Sequence, residues 1–376
     1  MAITADQVRE RLKKIKGPDG NDLVASGKLS DIVISDGKVF FSLTVDAGAA
    51  PAWEAVRKQA ESEVRSIPGV ASVLIALTAE RSGGAPQPSA AAPKAPPRAG
   101  GASRPITGVP GVEAVIAVAS GKGGVGKSTT AVNLALGLRD LGLRVGLLDA
   151  DIYGPSMPRL LAIKSKPETI GGRLLKPMDG YGVKVMSMGF LVEEETPMIW
   201  RGPMVISALT QMLREVEWGN LDILVVDMPP GTGDAQLTMA QQVPLAGAVI
   251  VSTPQDLALI DARKGLNMFR RVDVPVLGIV ENMSYFLAPD TGKRYDIFGH
   301  GGARHEAERL GVPFLGEVPL VMEIRETSDA GRPIVVAAPD SPHAGIYREI
   351  AARVWDGIRR ERASGGHAAP KIVVED

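Results

Sequence analysis

The 376-residue chain contains no cysteine, which excludes disulfide bonds, a thiolate nucleophile, and cysteine-ligated zinc or iron–sulfur clusters. Histidine is scarce as well. Of the four present, His300 and His305 lie five residues apart rather than at the i, i+4 spacing of a helix-borne metal site, so they read as exposed or helix-capping residues. Net charge is also lacking: 42 basic residues against 43 acidic ones give no field that calls for nucleic acid or an anionic membrane. No uninterrupted apolar stretch approaches the ~18 residues of a membrane span. The N-terminal run MAITADQVRERLKK has no apolar signal-peptide core. The expectation is a soluble cytoplasmic protein, with no nucleic acid and no membrane among its partners, long enough for two domains.

What the chain does have is a phosphate cradle. Residues 120–129, SGKGGVGKST, match G-x-x-x-x-G-K-[ST]. Gly121, Gly123, Gly124 and Gly126 let the backbone turn tightly around Val125 and aim its N–H groups at phosphates. Lys127 reaches the β/γ oxygens, Ser128 is placed to ligate Mg²⁺, and Thr129 closes the motif. An apolar run at 115–119 precedes it and a helical pattern at 131–141 follows, the strand–loop–helix context the motif requires.

Residues 81–105 hold six prolines, four basic residues and no acid among Ala, Gly and Ser. Such a composition cannot bury enough apolar surface to fold and predicts a linker, drawn here over 81–108. Before it, residues 1–80 show an α-β-β-α-β pattern, a small α+β domain. Thr4 and Gln7 form a capping box for a helix with Val8, Leu12 and Ile15 on one face. Asp36-Gly37 joins a strand at 31–34 to the alternating strand Val39, Phe41, Leu43, Val45. A second helix aligns Trp53, Val56, Ala60, Val64 and Ile67, and a strand over 70–77 closes the unit. It carries no catalytic constellation and reads as a docking or regulatory module. From 109 to 363, continuous apolar strands at 115–119, 145–148, 223–226, 248–252, 276–280 and 314–318 alternate with helices. This predicts a mostly parallel, doubly wound α/β sheet binding its ligand at the strands' carboxyl ends. A C-terminal helix spans 341–362, and the tail 364–376 reads as disordered.

Two further strand ends carry acids. Asp149 and Asp151 follow the second strand; Asp151 is the choice for positioning an attacking water, while Asp149 serves either catalysis or capping. Asp227, after four apolar residues, fits the Walker B pattern that holds Mg²⁺, and Pro229-Pro230-Gly231-Thr232-Gly233 beyond it is the candidate switch. No [NT]-K-x-D run points to guanine, so ATP is the expected nucleotide. Asn282, following a strand end, is either a base contact or a turn residue. Six methionines between residues 178 and 212 are either core filler or an adaptable docking surface.

Taken in order, SGKGGVGKST, LLDADIYGPS, IWRGPM, VVDMPPGTGD, STPQDLAL, VENMSYF and IFGHGGA resemble the Mrp (ApbC) group of the MinD/Mrp/ParA-like ATPases, iron–sulfur cluster carrier or assembly proteins. The resemblance spans nearly the whole chain. It implies a P-loop NTPase fold and a slow ATPase acting as a homodimer, in which Lys122, the second lysine of K-G-G-x-G-K-S, reaches across to the partner's nucleotide. It also implies iron–sulfur assembly or client proteins as partners. The family's C-P-x-C is absent; Ala288 and Thr291 stand in its place. Neither side chain ligates iron as thiolate does, so no cluster is expected through the family's bridging site. An alternative reading is an ATP-gated switch of the partitioning and positioning type, controlling partner association.

Overall fold

The computed structural model describes residues 4–18, 20–30, 32–35, 38–46, 50–70, 72–80, 108–171, 174–191 and 202–363. The proposed linker up to residue 107, the Asp36-Gly37 turn and the tail 364–376 lie outside them. Two compact units divide the chain, Met1–Ile106 with Pro197–Ala208, and Thr107–Thr196 with Leu209–Asp376.

The first unit runs α1 (Ala5–Leu12), β1 (Val33–Ser35), β2 (Lys38–Asp46), α2 (Ala50–Arg65), β3 (Ser72–Glu80). Thr4 and Gln7 form the expected capping box, each side chain bonded to the other's backbone N–H. Helix α1 ends at Leu12, so Ile15 reaches the core from the following turn rather than from the helix face. The pairing Ser35↔Lys38 sets the antiparallel register of β1 and β2, and β3 adds in parallel to β2. Trp53, Val56, Ala60, Val64 and Ile67 are all buried, with Val39, Phe41, Leu43 and Val45 opposite in the same core. Large side chains like these each contribute roughly 1.5–3 kcal/mol by leaving water. Strict alternation fails on β2, because Phe40 and Ser42 on its other face are buried as well.

The second unit opens with β4 (Val115–Ala119), α3 (Lys127–Asp140), β5 (Val145–Asp149), α4 (Met157–Leu160) and the short strands β6 (Thr169–Ile170), β7 (Leu174–Leu175), β8 (Met178–Gly180) and β9 (Val183–Ser187). Next come α5 (Gly202–Arg214), whose first turns group with the other unit, β10 (Ile223–Asp227), α6 (Asp234–Gln242), β11 (Gly247–Ser252) and α7 (Asp256–Arg271). The chain closes with β12 (Val276–Leu287), β13 (Arg294–Tyr295), α8 (Gly302–Leu310), β14 (Phe314–Leu320), α9 (Met322–Asp329), α10 (Ile334–Ala337) and α11 (Pro342–Ala363).

Nine strands form one sheet in the order β13-β12-β11-β4-β10-β5-β9-β8, with β14 paired to β12. Pairings are parallel except at β12–β13 and β8–β9. The six strands read from apolar runs are all present. The sequence reading did not name β9, which lies parallel to β5, nor the two- and three-residue strands β6, β7, β8 and β13. Every residue of β4, β5, β10 and β11 is buried, as strands covered on both faces require. Helix α3 is buried almost all round, and at Gly137 a Cβ would lie 3.0 Å from Ala351 and 3.1 Å from the Tyr347 carbonyl, so a small residue is needed where α3 meets α11. Met186, Met188, Met204 and Met212 are buried, which favours the core-filler reading; Met198 lies outside the described residues. The chain leaves β4 for β5 on one side and leaves its neighbour β10 for β11 on the other, so a crevice opens at the carboxyl ends of these two adjacent strands.

Candidate functional site

The phosphate loop fills that crevice. It leaves β4 at Ser120 and ends where Gly126, in left-handed conformation (φ 78°), caps α3. Gly124 is also left-handed (φ 81°). These angles favour glycine and shape a loop leading into a helix N-terminus, a natural anion site. Two approaches are too close for any side chain. A Cβ on Gly121 would stand 2.2 Å from the Asp261 carbonyl carbon of α7, and one on Gly126 would stand 2.1 Å from Asn282 Nδ2. Ser120 Oγ donates to the Lys122 carbonyl at 2.9 Å, and Thr130 Oγ1 to that of Gly126 at 2.9 Å.

Within the crevice Lys127, 6% exposed, pairs with the fully buried Asp227 at the end of β10, and its Nζ also donates to Ser128 Oγ at 3.1 Å. The second oxygen of Asp227, Oδ2, is buried and accepts no hydrogen bond among the described residues. Burial raises the Asp227 pKa, while Lys127 and the Ser128 hydroxyl pull it back down. A cleft of about 270 Å³ is lined by Lys122, Lys127, Ser128, Asp151 and Pro230 among others. Asp151 is raised above the usual carboxylate range by its own burial, against the pull of Lys127.

Asp149 turns out to be a cap. Its Oδ2 accepts from the backbone N–H groups of Ser156 (2.9 Å) and Met157 (3.1 Å) at the start of α4 and from Ser187 Oγ (2.9 Å) on β9, and its Oδ1 from the Asp151 N–H (3.2 Å). Burial, and secondarily the nearby Asp227, push its pKa up to about 7 against those donors. It meets the structure through four donors and stands behind the loop that carries Asp151.

The expected switch is held on two sides: Gly231 N–H donates to the Ser120 carbonyl at 3.0 Å, and Gln236 Nε2 to that of Pro230 at 2.7 Å. Asn282 packs against the phosphate loop. It is 7% exposed, and its Nδ2 donates to the Val125 carbonyl at 2.8 Å, so this donor engages the phosphate loop itself. Sequence reasoning missed Ser187 and Glu281, whose side chains meet groups distant in the chain, and Gln236, which reaches back to the nearby Pro230 carbonyl. His300 lies against Arg294, and among the described residues no group of three His, Cys, Asp or Glu is arranged to hold a metal ion.

Residues 111–355 match the family model described as the NUBPL iron-transfer P-loop NTPase. The chain belongs to that iron-transfer P-loop NTPase family. Residues 5–75 match a second model, the iron–sulfur cluster assembly protein. An iron–sulfur cluster carrier protein of Synechocystis sp. is 45% identical over 94% of this chain and 97% of its own length. The iron–sulfur cluster transfer protein NUBPL of Dictyostelium discoideum is 56% identical over 65% of this chain and 77% of its own. Among solved structures, a nucleotide-binding protein of Archaeoglobus fulgidus in complex with ADP is 40% identical, with a TM-score of 0.55, covering 62% of this chain and 91% of that one. The Pyrococcus furiosus cell division ATPase MinD shares the fold at 22% identity and a TM-score of 0.51. The fold is therefore the MinD/ParA-like P-loop NTPase fold, α/β with a mostly parallel sheet. Among the described residues no helix is long and apolar enough to cross a membrane.

Proposed function

We propose that this protein is a Mg-ATP-binding and hydrolysing homodimeric ATPase of the iron–sulfur cluster assembly type, with residues 1–80 as a docking or regulatory domain on the linker 81–108. The observation that carries this reading is the buried Lys127–Asp227 pair with its orphaned Asp227 Oδ2. It supports a resting site in which the lysine and the acid hold each other until substrate arrives. ATP phosphates settle on the N–H groups of residues 121–128, and Lys127 turns from Asp227 to the β/γ oxygens. Asp227 and Ser128 are the residues that would then hold Mg²⁺. When bound, Mg²⁺ neutralises charge on the β/γ oxygens. Asp151 orients the attacking water from the cleft wall, and Lys122 of the partner protomer offsets charge on the transferred phosphoryl group as an arginine finger does. Loss of the γ-phosphate relaxes residues 229–233 onto the contacts made by Gln236 and Ser120.

Iron–sulfur cluster is cargo in this reading, and the chain offers no thiolate for it. Any cluster that passes is ligated by thiolates of a client or assembly partner.

The test is ATP turnover and nucleotide binding of Lys122→Ala beside the parent. Binding should persist while turnover is lost, and parent turnover per protomer should fall on dilution below the dimer's dissociation constant. Unchanged turnover in Lys122→Ala, or turnover per protomer independent of concentration, removes the cross-dimer mechanism.

A further inference from the structure

The segment that follows β10 has little freedom and concentrates it at one peptide. Met228 N–H donates to the Val118 carbonyl at 3.0 Å, and Pro229 and Pro230 have no N–H and a fixed φ, so the first donor available after the strand is that of Gly231. Gly231 itself has a positive φ (103°), which favours glycine. The Pro230 carbonyl and the Gly231 N–H belong to one planar trans peptide unit and point in opposite directions. Both of its ends are held. The N–H donates to the Ser120 carbonyl at 3.0 Å, and the carbonyl accepts from Gln236 Nε2 at 2.7 Å. Gln236 stands in the first turn of α6, behind the cap Gly233, which has no side chain to offer the helix. Its amide lies close to both glycines: a Cβ on Gly231 would stand 3.5 Å from its Nε2, and one on Gly233 would stand 3.2 Å from its Oε1. Pro230 lines the cleft, so the latched peptide borders the phosphate loop.

We infer that Gln236 is a positioning residue for the nucleotide switch: it holds the Pro230–Gly231 peptide in the orientation that directs the Gly231 N–H to Ser120, and a third phosphate must break this hold to recruit that N–H. A peptide plane cannot re-aim its N–H without swinging its carbonyl the other way. Turning the Gly231 donor to an oxygen in the cleft therefore takes the Pro230 carbonyl off Gln236. The prolines leave the glycine torsions as the place where the turn occurs. A nucleoside diphosphate has no γ-phosphate to draw the donor and binds with the latch closed; a triphosphate binds with it open. The latch thus sets how strongly the site prefers one over the other. Ser120 extends the effect, because its hydroxyl holds the Lys122 carbonyl at 2.9 Å while its own carbonyl holds the switch. This inference rests on the reading of the cleft as a nucleotide site with residues 229–233 as its switch.

Removing the amide should favour triphosphate over diphosphate. Loss of one hydrogen bond from the latched form alone corresponds to a shift of roughly 2- to 10-fold in the ratio of the two affinities. Gln236→Met keeps the length of the side chain without the amide, and Gln236→Ala removes both; thermal unfolding shows that each variant is folded. Calorimetric titration with Mg-ADP and with the Mg complex of the non-hydrolysable β,γ-imido analogue of ATP reads the ratio. Hydrogen–deuterium exchange reads the Gly231 N–H in the nucleotide-free protein. The expected result, in both variants, is a shift of that size toward the triphosphate analogue, with faster exchange at Gly231. An unchanged ratio overturns the inference, whether the two affinities stay as they are or fall together, since a purely structural role moves them together. A ratio shifted toward ADP, or unchanged exchange at Gly231, overturns it as well. A parent that binds neither nucleotide removes the nucleotide reading and this inference with it, whereas a parent that binds both while the variants keep its ratio removes this inference alone.

Discussion

Replacing Lys127 by methionine should do more than abolish ATP binding: it should destabilise the nucleotide-free protein. Asp227 is 0% exposed and Lys127 6%, and the lysine is the only cation paired with that carboxylate among the described residues. Removing one partner of a buried ion pair costs about 3–5 kcal/mol, because the other charge stays out of water. In a unit of this size each kcal/mol moves the unfolding midpoint by roughly 2–4 °C, so the expected fall is about 6–20 °C. Methionine retains most of the lysine's length, so lost packing contributes little. The double variant Lys127→Met, Asp227→Asn removes the stranded charge and should recover much of the stability without recovering ATP binding. Acidity should act in the same direction. The folded-state pKa of Asp227 is already raised by burial, and loss of Lys127 removes the largest influence lowering it. A raised carboxyl pKa favours folding while the group is protonated. The variant's deficit should therefore be small below about pH 4, where the unfolded carboxylate also protonates, and should grow as pH rises through the folded pKa. Thermal unfolding followed through the buried Trp218 reads the larger unit. A single variant that melts within about 2 °C of the parent at pH 8, or a double variant no more stable than the single, refutes the reasoning.

Asp151→Asn should bind Mg-ATP yet hydrolyse it on the order of 10²-fold more slowly, since only the orientation of water is lost; light scattering at saturating ATP should show an accumulated dimer, and a monomer there counts against a nucleotide-locked dimer. Ala288 and Thr291 share one tight turn, closed by Gly292 N–H donating to the Ala288 carbonyl at 2.8 Å and Ala288 N–H donating to that of Lys293 at 3.0 Å. Ala288→Cys with Thr291→Cys should accordingly create cluster binding at about one cluster per dimer on anaerobic reconstitution, as four-thiolate ligation requires. Parent protein that takes up the same iron with the same visible spectrum contradicts cluster ligation by partners alone.

The phosphate loop is legible in the amino-acid sequence, because its glycines, Lys127 and Ser128 are contiguous and their chemistry depends on backbone turns a few residues long. So are the central strands, since a run such as 223–226 with no polar residue is stable only when both faces are covered. The acid at the end of such a run, Asp227, was legible for the same reason. The supporting contacts come from packing between elements far apart in the chain. Asn282 and Val125 are 157 positions apart, and Lys127 and Asp227 are 100 apart. That the Asn282 amide reaches the Val125 carbonyl is announced by no local propensity. Asp149 was ambiguous because a buried carboxylate can serve catalysis or capping with the same neighbours in sequence. Only the arrival of Ser187 and the start of α4 made it a cap. Strands of two or three residues such as β7 and β13 have too little apolar pattern to be read in advance, since they exist only through the partner that completes their hydrogen bonds. A side chain's type is fixed by the sequence, but its partner is fixed by which elements the packed sheet brings within about 3 Å of it.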